Sequence, residues 1–362
     1  MFIREFNDPG CQDVREVGGK AAGLAQMTAE GLPVAPGFAV TAAAYRAYLE
    51  ADGLKEFTRG VLEGLGTGRD QAAFDDAGHR ISERFTEVPI PAKVADAVRA
   101  AYAKLCEETG VENIAVAVRS SATAEDSVGA SFAGEFETWV DIVGADDVLK
   151  YVHECYVSVF AGRVLSYLAE KDIDPHAIEM AVVIQKTVRA RAAGVMFTIS
   201  PTSGDRSKIV LEASWGLGLS VVGGEVTPDR FVVDKVGLGI ADRVVGNKII
   251  EYRRGDAPVG VPADRRDILC LQDDEVVALA TLGKKLERIH QAPQDIEFAV
   301  DEELPEGSNL ILLQCRPETV WSNANRKPAF DATAGVMSWI TGSISGATAP
   351  PAHAHDASHQ HQ

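Results

Sequence analysis

The residues with the clearest chemical potential lie in the segment Asn113–Val140. The unbroken apolar run Ile114–Val118 predicts a strand covered on both faces, and Arg119 follows at its carboxyl end. Three hydroxyl side chains come next, followed by a second flexible loop that contains Gly134. The hydroxyl side chains belong to Ser120, Ser121 and Thr123. A guanidinium, hydroxyls and glycines in this order indicate a site for phosphate oxygens, although a strand, a capped turn and a hairpin explain the pattern equally well.

A second group of candidate residues lies near the end of the sequence. Glu297 and Gln314 each lie in an apolar stretch that predicts a strand, and the two strands are predicted to pair as a hairpin. Their side chains would then face the same way, and carboxylate and amide oxygens are ligands suited to Mg²⁺. A cross-strand hydrogen bond between them is the competing interpretation. Arg316, two residues beyond Gln314, is predicted to share that face.

Lys20 is a third candidate for phosphate binding. It follows two glycines at the start of a predicted helix, where an ammonium and a helix N-terminus together would attract phosphate oxygens. A solvated lysine is the competing interpretation here. For Arg119 the competing interpretation is a structural ion pair with Glu125 or Asp126.

The elements that must position these residues are predicted from periodicity and turn signals. Helices are predicted at 20–30, 41–50, most of 57–110, 146–171 and 273–291, and strands at 114–118, 135–142, 180–188, 193–199, 208–213, 230–234, 295–300 and 309–314. Strands mixed with helices in this way are compatible with several α/β and α+β folds. The residue pattern alone does not choose between them.

Length and composition restrict the class of protein. With 362 residues, 46% of them hydrophobic, the chain can bury a sizeable core in two or three lobes. The formal net charge of −18 argues against a nucleic-acid surface. The absence of a long apolar run and of a signal-peptide pattern predicts a cytoplasmic protein that does not enter a membrane. Five cysteines without a CxxC pair predict reduced thiols.

Five motifs in a fixed order resemble the ATP-binding domain shared by phosphoenolpyruvate synthase, pyruvate phosphate dikinase and rifampin phosphotransferase. They are Val17–Leu24, Gly31–Thr41, the segment around Arg119, Gly194–Thr198 with Ala213–Gly218 and Thr227–Asp229, and Asp295–Phe298 with Leu312–Thr319. The resemblance implies an α+β, ATP-grasp-like fold with mixed sheets. Its lobes would be a largely helical 1–110, a central 111–240 and a C-terminal 241–322, with 323–362 as a linker and disordered tail.

The resemblance also implies ATP and Mg²⁺ as cofactors and gives each candidate a role. ATP would contact Lys20, Arg119, Gly134, Thr138, Gln185, Glu297, Gln314 and Arg316, and the metal would be held by Glu297 and Gln314. Gln185 would lie at the adenine end, and Gly134 with Thr138 in the loop over the triphosphate. Arg119 and Arg316 would be the catalytic cations.

The sequence surroundings of the histidines predict a partner subunit. Relatives of this kind transfer phosphate from ATP to a histidine in a Thr-Ser-His-like signature, and none of the eight histidines here lies in such a motif. A separate subunit is therefore expected to carry the phosphorylated histidine and the small-molecule acceptor site. This arrangement resembles the ATP-binding subunit of phenylphosphate synthase, which implies phenol as the acceptor. A split phosphoenolpyruvate synthase acting on pyruvate, a rifampin-phosphotransferase-like kinase and a non-catalytic ATP-sensing module are the alternatives.

Overall fold

Two antiparallel sheets, each covered by helices, organise the chain. The computed structural model of the protein describes residues 1–66, 70–123, 137–253 and 257–321. Both sheets belong to the unit Met1–Glu318. Helices and antiparallel sheets of this kind make up an α+β, ATP-grasp-like fold, as predicted. No helix in the described ranges is long and apolar enough to cross a membrane.

The first sheet has five strands and separates two apolar cores. Its strands are β1 Ile3–Glu5, β2 Gly37–Val40, β3 Val116–Ala122, β4 Thr138–Ile142 and β5 Met180–Lys186. They lie in the order β1-β2-β5-β3-β4. On the central strand β5, Val182 and Ile184 face a helical core, while Val183 faces the core shared with the second sheet. Burial on both faces explains why this strand is an unbroken apolar run.

The second sheet has six strands, and a short hairpin lies beside it. The strands are β6 Ala190–Phe197, β7 Lys208–Trp215, β8 Asp229–Asp234, β9 Ile240–Val244, β12 Gln294–Asp301 and β13 Leu310–Pro317, and the short hairpin is β10 Ile250–Glu251 with β11 Val259–Gly260. The order in the sheet is β13-β12-β6-β7-β8-β9. The predicted hairpin of the last two strands is confirmed, because β12 pairs antiparallel with β13.

Ten α-helices are found in the described residues. They are α1 Val14–Ala29, α2 Ala42–Leu49, α3 Leu54–Glu63, α4 Gln71–Glu87, α5 Ala92–Thr109, α6 Ala145–Ser158, α7 Gly162–Glu170, α8 Leu219–Val222, α9 Ala263–Arg266 and α10 Asp273–His290. Helices α2 to α7 pack on one face of the first sheet. Helix α1 and helix α10 contribute to the core that both sheets share.

The structure corrects the predicted strands in two places. Arg119 does not emerge at the end of a strand, because β3 continues to Ala122, which still pairs with Met180 of β5. The edge strand β1 and its neighbour β2 were not predicted, since three or four residues give too little periodicity to indicate a strand. The boundaries proposed for the lobes, at 110, 240 and 322, stay predictions. The first sheet combines strands from both sides of residue 110.

A buried ion pair joins the start of β8 to the segment that follows β9. Asp229 and Lys248 are both fully buried, and the Lys248 ammonium donates to the Asp229 carboxylate. The same carboxylate accepts the backbone N–H groups of Gly246, at 2.8 Å, and Cys270, at 2.7 Å. Asp229 therefore ties two later chain segments to the second sheet.

Removing the cation of this pair should cost much of the domain's stability. Lys248→Met would leave the Asp229 carboxylate buried without its counter-ion, which typically costs about 3–5 kcal/mol. Urea unfolding followed by circular dichroism measures the loss. Lys208→Met is the matched control, because Lys208 of β7 makes a partly exposed ion pair with Asp234, which lies on β8 as Asp229 does. Equal midpoints for the two variants would contradict the assigned role of the buried pair.

Candidate functional site

A cleft of about 420 Å³ is lined by residues of both sheets. All predicted site residues in the described ranges line it, namely Lys20, Arg119, Thr138, Gln185, Glu297, Gln314 and Arg316. Gly134 lies outside the described residues. The cleft has the size of a small-molecule site, and cations and hydrogen-bonding groups converge in it. Tertiary folding thus brings together residues that are separated by most of the chain.

Arg119 connects the two sides of the cleft. It lies on β3, with its side chain 10% exposed. Its Nη1 donates to the carbonyl oxygen of Leu313 at 2.7 Å. Its Nη2 donates to Gln314 Oε1 at 2.7 Å and to Glu297 Oε2 at 3.2 Å. The partner of Arg119 is therefore Glu297, whereas the competing prediction placed an ion pair with Glu125 or Asp126, which lie outside the described residues.

A β-bulge on β13 shapes this contact. Glu297 pairs with Gln314, but the next residue, Phe298, pairs with Leu312, so Leu313 is the extra residue. Bulges interrupt a ladder and re-aim the groups beside them. Here the carbonyl of the extra residue accepts the Arg119 guanidinium. The register also confirms that Glu297 and Gln314 are directly opposite each other.

Arg316 is held in the cleft by Asp295, its cross-strand partner. The Arg316 guanidinium donates through Nε at 2.8 Å and through Nη2 at 2.7 Å to Asp295 Oδ2. Burial raises the pKa of the Asp295 carboxyl, and Arg316 offsets only part of that effect. The two bonds to one carboxylate oxygen fix the Arg316 guanidinium beside Asp295, and Arg316 lines the cleft together with Gln314.

Ser121 holds the kinked part of α1 at Val17–Ala21, called the lysine loop here because it carries Lys20, against β3. Gly18 has a left-handed φ of +74° that interrupts α1. A Cβ on Gly18 would stand 2.0 Å from the Ser121 carbonyl oxygen, so only glycine fits. The Ser121 hydroxyl donates to the Val17 carbonyl at 2.8 Å and accepts the Ala21 N–H at 3.2 Å. These bonds place Lys20 at the wall of the cleft.

The three predicted hydroxyl donors do not line the cleft. Ser121 serves the lysine loop, Ser120 donates to the Glu137 carbonyl at 3.1 Å, and Thr123 donates to the Glu179 carbonyl at 3.3 Å. Because β3 continues to Ala122, Ser120 and Ser121 lie within the sheet and Thr123 directly follows it, and all three side chains satisfy main-chain groups. Their role is to stabilise the surroundings of Arg119.

Ser121→Ala should therefore weaken both the fold and the lysine loop. The buried carbonyl of Val17 and N–H of Ala21 would lose their partner, at a cost of about 1–3 kcal/mol. The free energy of unfolding in urea and the affinity for ATP are the two measurements. Ser120→Ala, which removes a hydroxyl one residue away, should lower stability less and leave ATP affinity unchanged. An unchanged ATP affinity in Ser121→Ala would contradict the role given to this hydroxyl.

Gln185 and Thr138 enter the cleft from β5 and β4. Gln185 is 2% exposed, and its amide nitrogen donates to the Ala35 carbonyl at 3.1 Å. It lies on the central strand of the first sheet, so it is not a solvent-facing edge residue. Thr138 pairs in register with Arg119. Both side chains therefore lie where a ligand in the cleft would meet the first sheet.

The oxygens of Glu297 and Gln314 suit a divalent metal ion. Both are hard ligands, and a cationic nitrogen of Arg119 already lies between them. In the part of the chain that the structure describes, no three His, Cys, Asp or Glu side chains converge as a metal site. The cleft thus offers two protein ligands, which fits Mg²⁺, since this ion usually takes its other ligands from water and phosphate.

Two residues of the cleft region were not assigned a role from the sequence. Asp295 orients Arg316, and Lys186 lines the cleft beside Gln185. Asp295 and Glu297 are two residues apart in a predicted strand and so share one face, which was a sequence signal for the role of Asp295. No sequence signal separated Lys186 from an ordinary exposed lysine.

Comparison with known proteins identifies the family of the chain. Residues 14–335 match the family described as "Pyruvate phosphate dikinase, AMP/ATP-binding domain". The chain belongs to this family. Membership in the pyruvate phosphate dikinase AMP/ATP-binding family confirms the resemblance inferred from the motifs and supports ATP binding and a phosphotransferase role.

Relatives of this pyruvate phosphate dikinase-type domain are named phosphoenolpyruvate synthases. The chain is 38% identical over 352 residues to a probable phosphoenolpyruvate synthase of Staphylothermus marinus, covering 90% of this chain and 42% of the relative. It is 40% identical over 334 residues to the phosphoenolpyruvate synthase of Aeropyrum pernix, covering 84% and 41%. It is 37% identical over 329 residues to a probable phosphoenolpyruvate synthase of Methanothermobacter thermautotrophicus, covering 90% and 47%. The chain spans less than half the length of these relatives.

Proposed function

We propose that this chain binds Mg-ATP in the cleft between its sheets and performs the ATP-cleaving part of a dikinase-type phosphotransfer. In this reaction the β-phosphoryl group of ATP passes to a histidine, water takes the γ-phosphoryl group to give orthophosphate, and AMP is released. The observation that carries the proposal is the convergence of three cations with a carboxylate and an amide oxygen. Lys20, Arg119 and Arg316 lie in one cleft with Glu297 and Gln314.

The roles of the cations follow from their chemistry. Arginine holds two phosphate oxygens at once, so Arg119 and Arg316 are suited to fix the orientation of a triphosphate. The Lys20 ammonium adds a point charge beside them. Fixed cations stabilise negative charge that develops on the phosphate oxygens as a phosphoryl group moves. Mg²⁺ bound by Glu297 and Gln314 would neutralise part of the phosphate charge.

Pyruvate is the acceptor that we propose for the complete reaction. The phenol reaction, which the resemblance to the ATP-binding subunit of phenylphosphate synthase implies, is less well supported, because the relatives described above are named phosphoenolpyruvate synthases. The overall reaction would convert ATP, pyruvate and water to AMP, phosphoenolpyruvate and orthophosphate. The histidine and the pyruvate site would be supplied by a partner subunit or by a further domain.

Product analysis tests this proposal. The chain, purified under native conditions with its histidine-bearing partner, is incubated with Mg-ATP and with pyruvate or phenol in turn, and nucleotides and phosphorylated products are identified by ³¹P NMR. We expect AMP, orthophosphate and phosphoenolpyruvate, with pyruvate required. A requirement for phenol would instead identify the phenylphosphate synthase reaction. Tight ATP binding without AMP formation under any condition would identify a sensing module and overturn the proposal.

A further inference from the structure

We infer that the Arg119 guanidinium occupies the metal site when no nucleotide is bound. Nucleotide phosphates must displace it before a metal ion can bind both Glu297 and Gln314. The inference rests on the proposed function and adds an order of binding to it. Nucleotide phosphates bind Arg119 first, and the freed oxygens then take the metal. Arg119 thus couples the affinities of the two ligands.

The hydrogen-bond donors of Arg119 carry the first step of the argument. A guanidinium has five N–H groups. It can bind a phosphate at two points, a two-point edge, either through Nε and Nη2 or through Nη1 and Nη2, so both edges include Nη2. Nη2 already donates to both Glu297 and Gln314. No two-point edge is therefore open. Arg119 can hold a phosphate at two points only after it releases at least one of these side chains.

The acceptors carry the second step. Among the described residues, Arg119 supplies every hydrogen bond that the Glu297 carboxylate and the Gln314 amide oxygen receive. A divalent metal would need the same two oxygens at a distance of about 2.1 Å. The Nη2 nitrogen at 2.7 Å from Gln314 Oε1 occupies that space and carries the positive charge that the metal would supply. Arg119 and the metal ion therefore exclude each other.

The bond to Leu313 explains how Arg119 can exchange its partners without leaving the cleft. Nη1 donates to the Leu313 carbonyl, which belongs to the bulge and is fixed by the backbone. This contact is independent of Glu297 and Gln314, so it holds the guanidinium while Nη2 turns toward a phosphate. The coupling is reciprocal, because a ligand that favours the released Arg119 raises the affinity of the other ligand.

Opposite effects of one substitution on two ligands test the inference. Arg119→Ala should tighten the binding of Mn²⁺, used as a probe for Mg²⁺ in nucleotide-free protein, by roughly tenfold, because a charge-assisted competitor is removed. The same variant should weaken the binding of ATP in the presence of EDTA by a similar factor. Electron paramagnetic resonance of free Mn²⁺ and calorimetry with ATP measure the two affinities. A variant that had lost its fold would bind both Mn²⁺ and ATP more weakly.

Two further variants separate the exchange from a general charge effect. Lys20→Ala removes a positive charge from the same cleft wall but breaks no bond to Glu297 or Gln314, so Mn²⁺ affinity should change far less than in Arg119→Ala. Arg119→Lys keeps the charge, and its single ammonium cannot contact both oxygens as Nη2 does, so an intermediate gain is expected. Arg119→Lys also tests the inference if Arg119→Ala does not fold.

The outcomes distinguish the inference from the proposed function. Tighter Mn²⁺ binding with weaker ATP binding in Arg119→Ala supports the exchange. Unchanged Mn²⁺ affinity in the Arg119 variants, or an equal gain in Lys20→Ala, overturns it while Mg-ATP binding by the wild type leaves the proposed function intact. If the wild-type chain binds no ATP with or without the metal, the proposed function fails and the inference fails with it.

Discussion

Glu297→Gln should reduce the rate of ATP cleavage by roughly 10²–10³-fold, the range found when one preorganised charged or hydrogen-bonding group is removed from a catalytic site. The substitution keeps the size of the side chain and removes the carboxylate charge that would hold Mg²⁺. Because the Glu297 side chain is 28% exposed, the fold should remain intact. AMP formation in the native complex and the thermal unfolding midpoint are the two measurements.

Glu303→Gln is the matched control for this variant. Glu303 pairs with Arg189 at 3.1 Å, is 53% exposed and does not line the cleft. Exposed ion pairs contribute little to stability, so this variant should resemble the wild type in both measurements. Full activity in Glu297→Gln would refute the metal-binding role of Glu297, and equal losses in both variants would indicate a general charge effect.

Gly18→Ala is expected to have the largest effect on stability of any substitution near the cleft. The new Cβ would stand 2.0 Å from the Ser121 carbonyl oxygen and 2.4 Å from its hydroxyl oxygen, so the lysine loop or β3 must move. The left-handed φ of +74° adds strain of its own. We expect a loss of more than about 3 kcal/mol in unfolding free energy, together with weaker ATP binding because Lys20 is displaced.

Gly31→Ala separates the steric effect from the backbone strain. Gly31 has a similar φ of +66°, but a Cβ there would meet no atom within 4 Å. This variant should lose only the strain of the left-handed conformation, about 1–2 kcal/mol, and should bind ATP normally. If the two alanine variants are equally stable in urea, close packing against Ser121 does not require a glycine at position 18.

Several parts of this fold follow from local patterns. The strands β5 to β8 and the helix α10 were predicted close to their observed limits, because their apolar periodicity extends over many residues. The facing of Glu297 and Gln314 was predicted as well, since a hairpin with alternating side chains leaves few registers. The bulge at Leu313 was not predicted, because nothing in an apolar strand indicates which residue is extra.

The sequence by itself determined the family, the order of the motifs and the residue types of the site. Only the tertiary structure decided which partners these residues have. Ser121 bonds to the lysine loop across 100 residues, and Arg119 bonds to Glu297 across 178 and to Gln314 across 195. Periodicity reports which face of an element is buried, but such contacts depend on how two sheets pack together. From the sequence, the expected partners of Arg119 were therefore its nearest acids, Glu125 and Asp126. In the structure, the packing of the two sheets instead pairs it with the predicted metal ligands, Glu297 and Gln314.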